Sequence, residues 1–576
     1  MLTPRQRTHS AQDEIESLRR RLATLQTERR TWESHWQEIA ELMSPRKAGF
    51  TGRRQPGEKA MLAVYDSTAI HAVELLAAGL HGVATNPASK WFSLRMTDDA
   101  LNDMDEVKQW LADVEQIMWA RMYAPGTNFT TALHEIYHDL AAFGTGILFC
   151  GLRDSGGLLF EAKPLSQFYI AENAEGVVDT VYGRTEYAVR QLVELFGLEA
   201  VSDNVRRLYE SGLHDSLVWV VHAVYPRPQR QASGRRRETM PFASVYYEEA
   251  TAHVLEEGGF PEFPYMVPRW SKRSGELYGR SQGMTALPDT KMLQAMMLVT
   301  IKAAQKVADP PLFLPHEGFM GPIRTVPGGL NFYRGSRGEI FPMPVSTGLP
   351  VTFQMMEDVR NRIRTTFFAD VIQFVTDVRM TATEVRQRAQ ERMRLLGPIV
   401  GRLEAELLGP LVSRVMQLLH RLGVLPPEPE VISGRDYTVE FVSPIATAQK
   451  QGEADALLQV VQYAMPLAQA DPTVMARVFN LEEVVRYLAD LFNLNPKLLT
   501  SAEDEELQRQ QHQATQAVQQ LGGPAAQIAR QGAGAARDLA AASGAPLDFG
   551  ALLAALPEAG EQLQALPGVV TPGASG

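Results

Sequence analysis

The sequence predicts an α+β fold that is predominantly α-helical, and three observations predict it. Apolar residues recur at helical spacing over 11–43, 286–311, 351–374 and 382–423. Strand-like alternation is confined to one block, from Gly146 to about residue 257. Pro and Gly then concentrate in 312–350, between two of the helical stretches, so a small module of edge-like strands caps a helical hairpin.

In the first helix Ile15, Leu18, Leu22, Leu25, Trp32, Trp36, Ile39 and Met43 follow alternating steps of three and four, with Arg29 as the polar intruder. This heptad-like stripe fits a coiled coil, and equally an amphipathic helix docked on its own subunit. Ser44-Pro45 ends it. A second helix starts with Asp66 or Ser67 as N-cap and stops at Asn86-Pro87, and Trp91-Phe92 begins a short buried piece. Helices follow at 103–123 and 129–143. The β block reads GILFCGL, LLFEAKPL, QFYIAE, VVDTVYGRTEY, LVWVVHAVYP, FASVYYEE and AHVLEE. Its turns fall at Ser155-Gly156-Gly157, Ala174-Glu175-Gly176 and Glu257-Gly258-Gly259, and one helical insertion spans 189–209. The basic loop carrying Arg235, Arg236 and Arg237 reads as a solvated hairpin tip.

The stretch 286–311 is the least ordinary. Pro288 and Asp289 suit a first helical turn, and Pro310-Pro311 stops the helix. Between them MLQAMMLVTI is interrupted only by Gln294 and Thr300, so the helix needs cover on most sides. Crossing a bilayer takes about 20 apolar residues, roughly twice this core, so no membrane insertion is expected and the cover is protein. Met292, Met296, Met297, Val299 and Ile301 are the candidates for packing against neighbouring subunits. A returning helix spans 351–374. Thr381 and Glu384 form a capping box that opens the forty-residue pattern, and Pro398 and Pro410, each after a glycine, should kink it. One strand and further helices occupy 437–499. From Ser501 a Gln-rich piece passes into Gly/Ala/Pro-rich sequence, expected to be largely disordered.

At 576 residues the chain has room for several domains, and 45% hydrophobic with 21% charged residues is ordinary for a globular protein. The N-terminus shows no apolar signal region. The single cysteine, Cys150, excludes an intrachain disulfide and, within GILFCGL, reads as a small buried hydrophobe. With 56 basic against 67 acidic residues the net charge is −11, so any contact with DNA is local or transient rather than a tight basic grip.

Motifs for catalysis are sparse. His134-Glu135-Ile136-Tyr137-His138 matches H-E-x-x-H, in which two histidines four apart share a helix face and bind zinc beside a glutamate base. The metzincin continuation is absent, and the nearest plausible carboxylate ligand, Glu161, falls in a predicted strand. There is no P-loop, no G-x-S-x-G elbow and no cysteine pair, and Gly144-Thr145-Gly146 reads as a helix-to-strand turn. The reading is therefore non-enzymatic and without cofactor. Arg379, Arg386, Arg388, Arg392 and Arg394 cluster around the start of the kinked helix and read either as an ordinary solvated face or as a DNA contact.

Several stretches resemble one family. RRTWESHWQEIAELMSPRKAGF, VYDSTAIHAVELLAAGLHGVATNPASKWFSL, YGRSQGMTALPD with its following DPP, and TATEV with its following LLGP occur in the order found in the head-to-tail connector, or portal, proteins of short-tailed double-stranded DNA bacteriophages. The resemblance implies a wing over 1–283, a stem of two helices over 284–311 and 351–374, and a clip over 312–350. It also implies a tunnel loop over 375–381, a long kinked helix over 382–423, a helical crown over 424–500 and an uncovered tail over 501–576. It implies a homo-oligomeric ring, usually dodecameric, at one capsid vertex, assembled in the host cytoplasm. Double-stranded DNA passes through it transiently, with capsid, scaffolding, terminase and tail adaptor proteins as partners. Arg379 and Arg386 would then be the first channel candidates, followed by Lys302 and Lys306. Another virion ring or adaptor, or a zinc peptidase through His134, Glu135 and His138, are the alternatives.

Overall fold

The heptad-like stripe of the first helix turns onto its own chain. Helix α1 (Pro4–Met43) lays Ile15, Leu18, Leu22 and Leu25 on a β-sheet face made of Tyr169, Tyr182, Val221, Ala223, Val245 and Tyr247. The docked amphipathic helix, rather than a coiled coil, is what forms. Arg29, the intruder in the stripe, is 1% exposed and spends all five of its N–H groups. Nη1 donates to the Leu165 and Phe168 carbonyls at 2.9 and 2.6 Å, Nη2 to Ser166 O at 2.9 Å, and Nε and Nη2 to Glu33 at 2.9 and 2.7 Å. The guanidinium also lies 3.7 Å from the Tyr169 ring centre. A buried cation is tolerable here because every donor finds an acceptor.

This computed structural model describes residues 4–52, 57–58, 64–102, 104–153, 156–227, 240–315, 324–333, 340–342, 349–372, 397–432, 434–435 and 437–441, with scattered positions between 457 and 488. Contacts divide the chain into two units, Met1–Asn102 with Trp110–Phe492, and Asp103–Gln109 with Asn493–Gly576. The sheets and the helix pair that carries the candidate site belong to the first. The expected tunnel loop, most of the expected crown and the tail from Ser501 lie outside the described residues. No helix among the described residues is long and apolar enough to cross a membrane.

After α1 come α2 (Thr68–Ala84), strand β1 (Phe92–Met96), the short α3 (Asp99–Asn102), α4 (Asp105–Met122) and α5 (Phe129–Phe143). Ser67 holds the N-cap position of α2, and it is the Asp66 carboxylate that accepts the Thr68 N–H, at 2.9 Å. α5 packs along α2, with the Tyr137 hydroxyl 3.0 Å from Thr85 Oγ1 just past the end of α2. It closes on Gly144, whose φ of 81° suits glycine and whose N–H returns to the Asp139 and Leu140 carbonyls. A β-carbon at Gly144 would strike the Gly279 carbonyl, so two backbones cross there in contact.

The alternating block forms two antiparallel sheets. β2 (Leu148–Leu152) lies between β3 (Leu158–Ala162) and β9 (Tyr265–Met266). Cys150 on β2 is buried, and burial pushes its thiol up to about 12 although Arg414 opposes the shift. The second sheet is a meander of β4 (Phe168–Glu172), β5 (Val178–Ala188), β6 (Leu217–Pro226), β7 (Phe242–Glu248) and β8 (Val254–Phe260). Two expectations need correction here. The insertion over 189–209 is two helices, α6 (Val189–Phe196) and α7 (Asp203–Glu210), because Gly197 at φ 87° ends the first. Gly258 and Gly259 are no turn: they pair with Ser244 and Ala243 inside β8, and the chain turns at 249–253, where Ala252 has φ 56°.

The long helix α8 (Gln282–Ala308) leads to a small sheet of β10 (Leu312–Pro315), β11 (Leu330–Tyr333) and β12 (Phe341–Pro342), ordered β11-β10-β12. α9 (Leu349–Thr366) returns, and α10 (Ala369–Ile372) follows. The sequence reads 351–374 as one helix; it breaks at Phe368, whose φ of 57° leaves the helical region while Phe367 is driven into the core. Residues 397–403 are helical, 404–408 wind as a π turn in which the Gly409 N–H reaches back to Glu404 O, and α11 (Gly409–Arg421) continues. Pro410, with no N–H to give Glu406, sits at this irregularity. β13 (Tyr437–Phe441) pairs antiparallel with β1 across more than three hundred residues of chain.

Two further buried arginines tie this last helix to the sheets. Arg269, 2% exposed, bonds Glu406 Oε1 at 2.8 Å, Glu172 Oε2 at 2.7 Å and the Gly176 carbonyl at 2.7 Å. Arg414 pairs with Glu262, beside the Phe260 ring.

Candidate subunit interface

Helix α8 begins earlier than the sequence suggests. Ser281 is the N-cap, its Oγ accepting from Met284 N at 2.9 Å while donating to Ala142 O at 2.7 Å, so Pro288 sits well inside the helix and not in its first turn. The start is fixed by crowding: a β-carbon at Gly283 would run into the Ala142 carbonyl, so α8 leaves the body in backbone contact with the end of α5.

Beyond that crossing Leu293 is still buried, but the polar residues of the apolar run share the inner side with it. Gln294 Nε2 donates to Asp66 O at 2.7 Å, and its Oε1 accepts from Tyr65 N at 2.7 Å and Asp66 N at 2.9 Å. Thr290 and Thr300 satisfy their hydroxyls on the Ala286 and Met296 carbonyls of their own helix. Most of the apolar residues do not face in: Val299 is 63% exposed, Met292 and Ile301 are exposed, and Met296 and Met297 are half-buried. Of the five expected packing residues none is fully covered by the chain itself. On α9, Met356, Val359 and Ile363 are buried, as is Phe367 just past its end, while Phe353 and Met355 are exposed.

Asp66 joins the two helices. Its Oδ2 accepts from Arg360 Nε and Nη2, each at 2.9 Å, so α9 is held to the same loop that Gln294 holds to α8. Burial alone would raise the Asp66 carboxyl, but the Thr68 hydroxyl and N–H and the Arg360 guanidinium outweigh it and keep the group below its ordinary value. Thr300 Oγ1 meets Met356 Sδ at 4.0 Å and Arg362 pairs with Asp289 at 3.3 Å, which makes the helices antiparallel.

The other expected site residues fall elsewhere. Lys302 is exposed and Lys306 half-buried near the far end of α8; Arg379 and Arg386 lie outside the described residues. In the H-E-x-x-H stretch on α5, His134 Nε2 and His138 Nε2 approach the two oxygens of Glu74 on α2 at 3.8 and 3.7 Å, and Glu135 points to solvent. Among the described residues no group of three or more His, Cys, Asp and Glu side chains has the arrangement of a metal site. Sequence reasoning missed the Asp66–Gln294–Arg360 node, since its members stand far apart in the chain; the polar interruption at Gln294 was the one available signal.

An exposed apolar face of this kind marks a component of a larger assembly. The chain belongs to the bacteriophage head-to-tail connecting protein family, whose model matches residues 16–499. It is 33% identical to a probable portal protein of Bordetella phage BPP-1 over 92% of this chain and 96% of that one. It is 29% identical to the portal protein of Salmonella phage epsilon15, covering 90% and 95%, and 25% identical to that of Pseudomonas phage phiKMV, covering 74% and 80%.

The node gives a pH signature. Because the Asp66 carboxyl lies below its ordinary 3.8 in the fold, its contribution is complete above about pH 4 and disappears as pH falls through the lowered value. Asp66→Asn should therefore lose stability against wild type at pH 6, with the gap closing below pH 4, as read by denaturant midpoints. A gap that stays constant or widens with acid would show that the carboxylate is not what holds the node.

Proposed function

We propose that the chain is a portal subunit: copies close into a ring at one capsid vertex of a virion, through which double-stranded DNA is packaged and ejected and on which the tail is mounted. The outward apolar face of α8 is the observation that carries the ring. In this reading 1–283 is the wing, 284–311 and 351–374 the stem, 312–350 the clip, 375–381 the tunnel loop, 382–423 the kinked helix behind it and 424–500 the crown. The ring is a dodecamer, assembled in the host cytoplasm, and its partners are capsid, scaffolding, terminase and tail adaptor proteins.

The physics of a conduit supports the reading. A channel should not hold its cargo, and a ring built from a chain of net charge −11 repels phosphate along much of its bore. A few arginines at the constriction supply a transient grip, with Arg379 first and Arg386 second. No nucleotide-hydrolysing motif is needed in the ring itself, because a separate terminase drives packaging. Membership of this family favours a structural role over an enzymatic one.

Two variants test the reading. Val299 is exposed, so Val299→Arg should leave the monomer folded by circular dichroism yet abolish rings in electron micrographs of the purified protein; rings at wild-type abundance would refute the interface. Arg379→Ala should assemble normally while virions carry less DNA, measured as genome copies per particle. Full genome content would remove Arg379 from the channel.

A further inference from the structure

Lys302 and Asp358 are exposed, and among the described residues neither forms a hydrogen bond or ion pair. Other charges on the pair are committed: Lys291 to Glu38 at 2.6 Å, and Glu357, beside Asp358, to Arg360 and Arg364 at 3.1 and 3.0 Å. The two unpaired charges have opposite sign and sit on different helices.

Their directions follow from the contact between those helices. Thr300 on α8 meets Met356 on α9. At about 100° per residue Lys302 is turned by about 200° from Thr300, and Asp358 by about 200° from Met356. Each therefore points directly away from the partner helix, at opposite edges of the pair. Lys302 shares its edge with the small Ala295 and the exposed Val299. Asp358 lies on a polar ridge with Gln354, Asn361 and Thr365 at helical steps. In the antiparallel pair the two levels differ by four residues, about 6 Å along the axis, which a lysine side chain spans.

A ring repeats one heterologous contact, in which one edge of each copy meets the other edge of the next. On the ring reading above, on which this rests, we infer that the α8 edge of one copy docks on the α9 edge of the next, with Lys302 paired to Asp358 of the second copy. The pair sets the rotational register of neighbouring helix hairpins, while Val299 supplies apolar contact beside it. Lys302 then belongs to the seam between copies and not to the channel surface.

Charge exchange in the full-length protein tests this. Lys302→Asp and Asp358→Lys, both at exposed positions, should each raise the concentration for half-assembly by about tenfold or more, followed by mass photometry at fixed salt. The double exchange should return it to within about threefold of wild type. Single variants that assemble like wild type, or a double exchange no better than either single, would overturn the pairing. A Lys302→Asp ring that forms normally but retains less packaged DNA would return Lys302 to the channel and also overturn it. Wild-type protein that never leaves the monomer would refute the ring itself, and the pairing with it.

Discussion

The orientation of α8 depends on Gln294. Its amide makes three hydrogen bonds to the backbone at Tyr65 and Asp66, and these lock one face of an otherwise apolar helix against the body. Leaving those two N–H groups unmatched would cost about 1–3 kcal/mol each, so together they match or exceed the roughly 1.5–3 kcal/mol that one methionine gains by full burial. The polar side is therefore the inner side, and Met292 and Val299 are left facing out. Arg360 extends the same node to α9, so both helices of the pair take their direction from one loop.

A second theme is the buried guanidinium. Arg29, Arg269 and Arg414 each join a helix to a sheet or its flanking loop, and each meets carbonyls or carboxylates drawn from segments remote in sequence. Apolar packing alone is non-directional, whereas a planar fork of five donors fixes both distance and angle. The result is helices held on the sheets in defined directions. The π turn before α11 belongs to this scheme, since Glu406, within it, is the carboxylate that Arg269 holds on two sides.

Much of this was legible in the sequence. The seven strands of the β block, the end of α5 at Phe143 and the stop after Met43 follow from period and from Gly and Pro punctuation. The misreadings share one cause, which is that tertiary contacts overrode local signals. Gly258-Gly259 looks like a turn until β7 supplies hydrogen bonds to it, and Pro288 looks like a helix start until Ser281 is seen to cap one turn and more upstream. The interface candidates Met292, Val299 and Ile301 were readable because an all-round apolar helix demands cover. Which face the chain itself covers was not, because Asp66 reaches Gln294, and Arg360 reaches Asp66, only in the folded protein. His134 and His138 do share a helix face, as their spacing requires, but that face meets Glu74 on α2.

The central claim is that the outward side of α8 is completed by another copy of the chain. Hydroxyl-radical footprinting, read by mass spectrometry on the assembled and the dissociated protein, measures that cover directly. Modification of Met292 and Val299 should fall several-fold on assembly while exposed positions remote from the stem, such as Leu195, stay unchanged. Equal modification of Met292 and Val299 in both states would contradict the account.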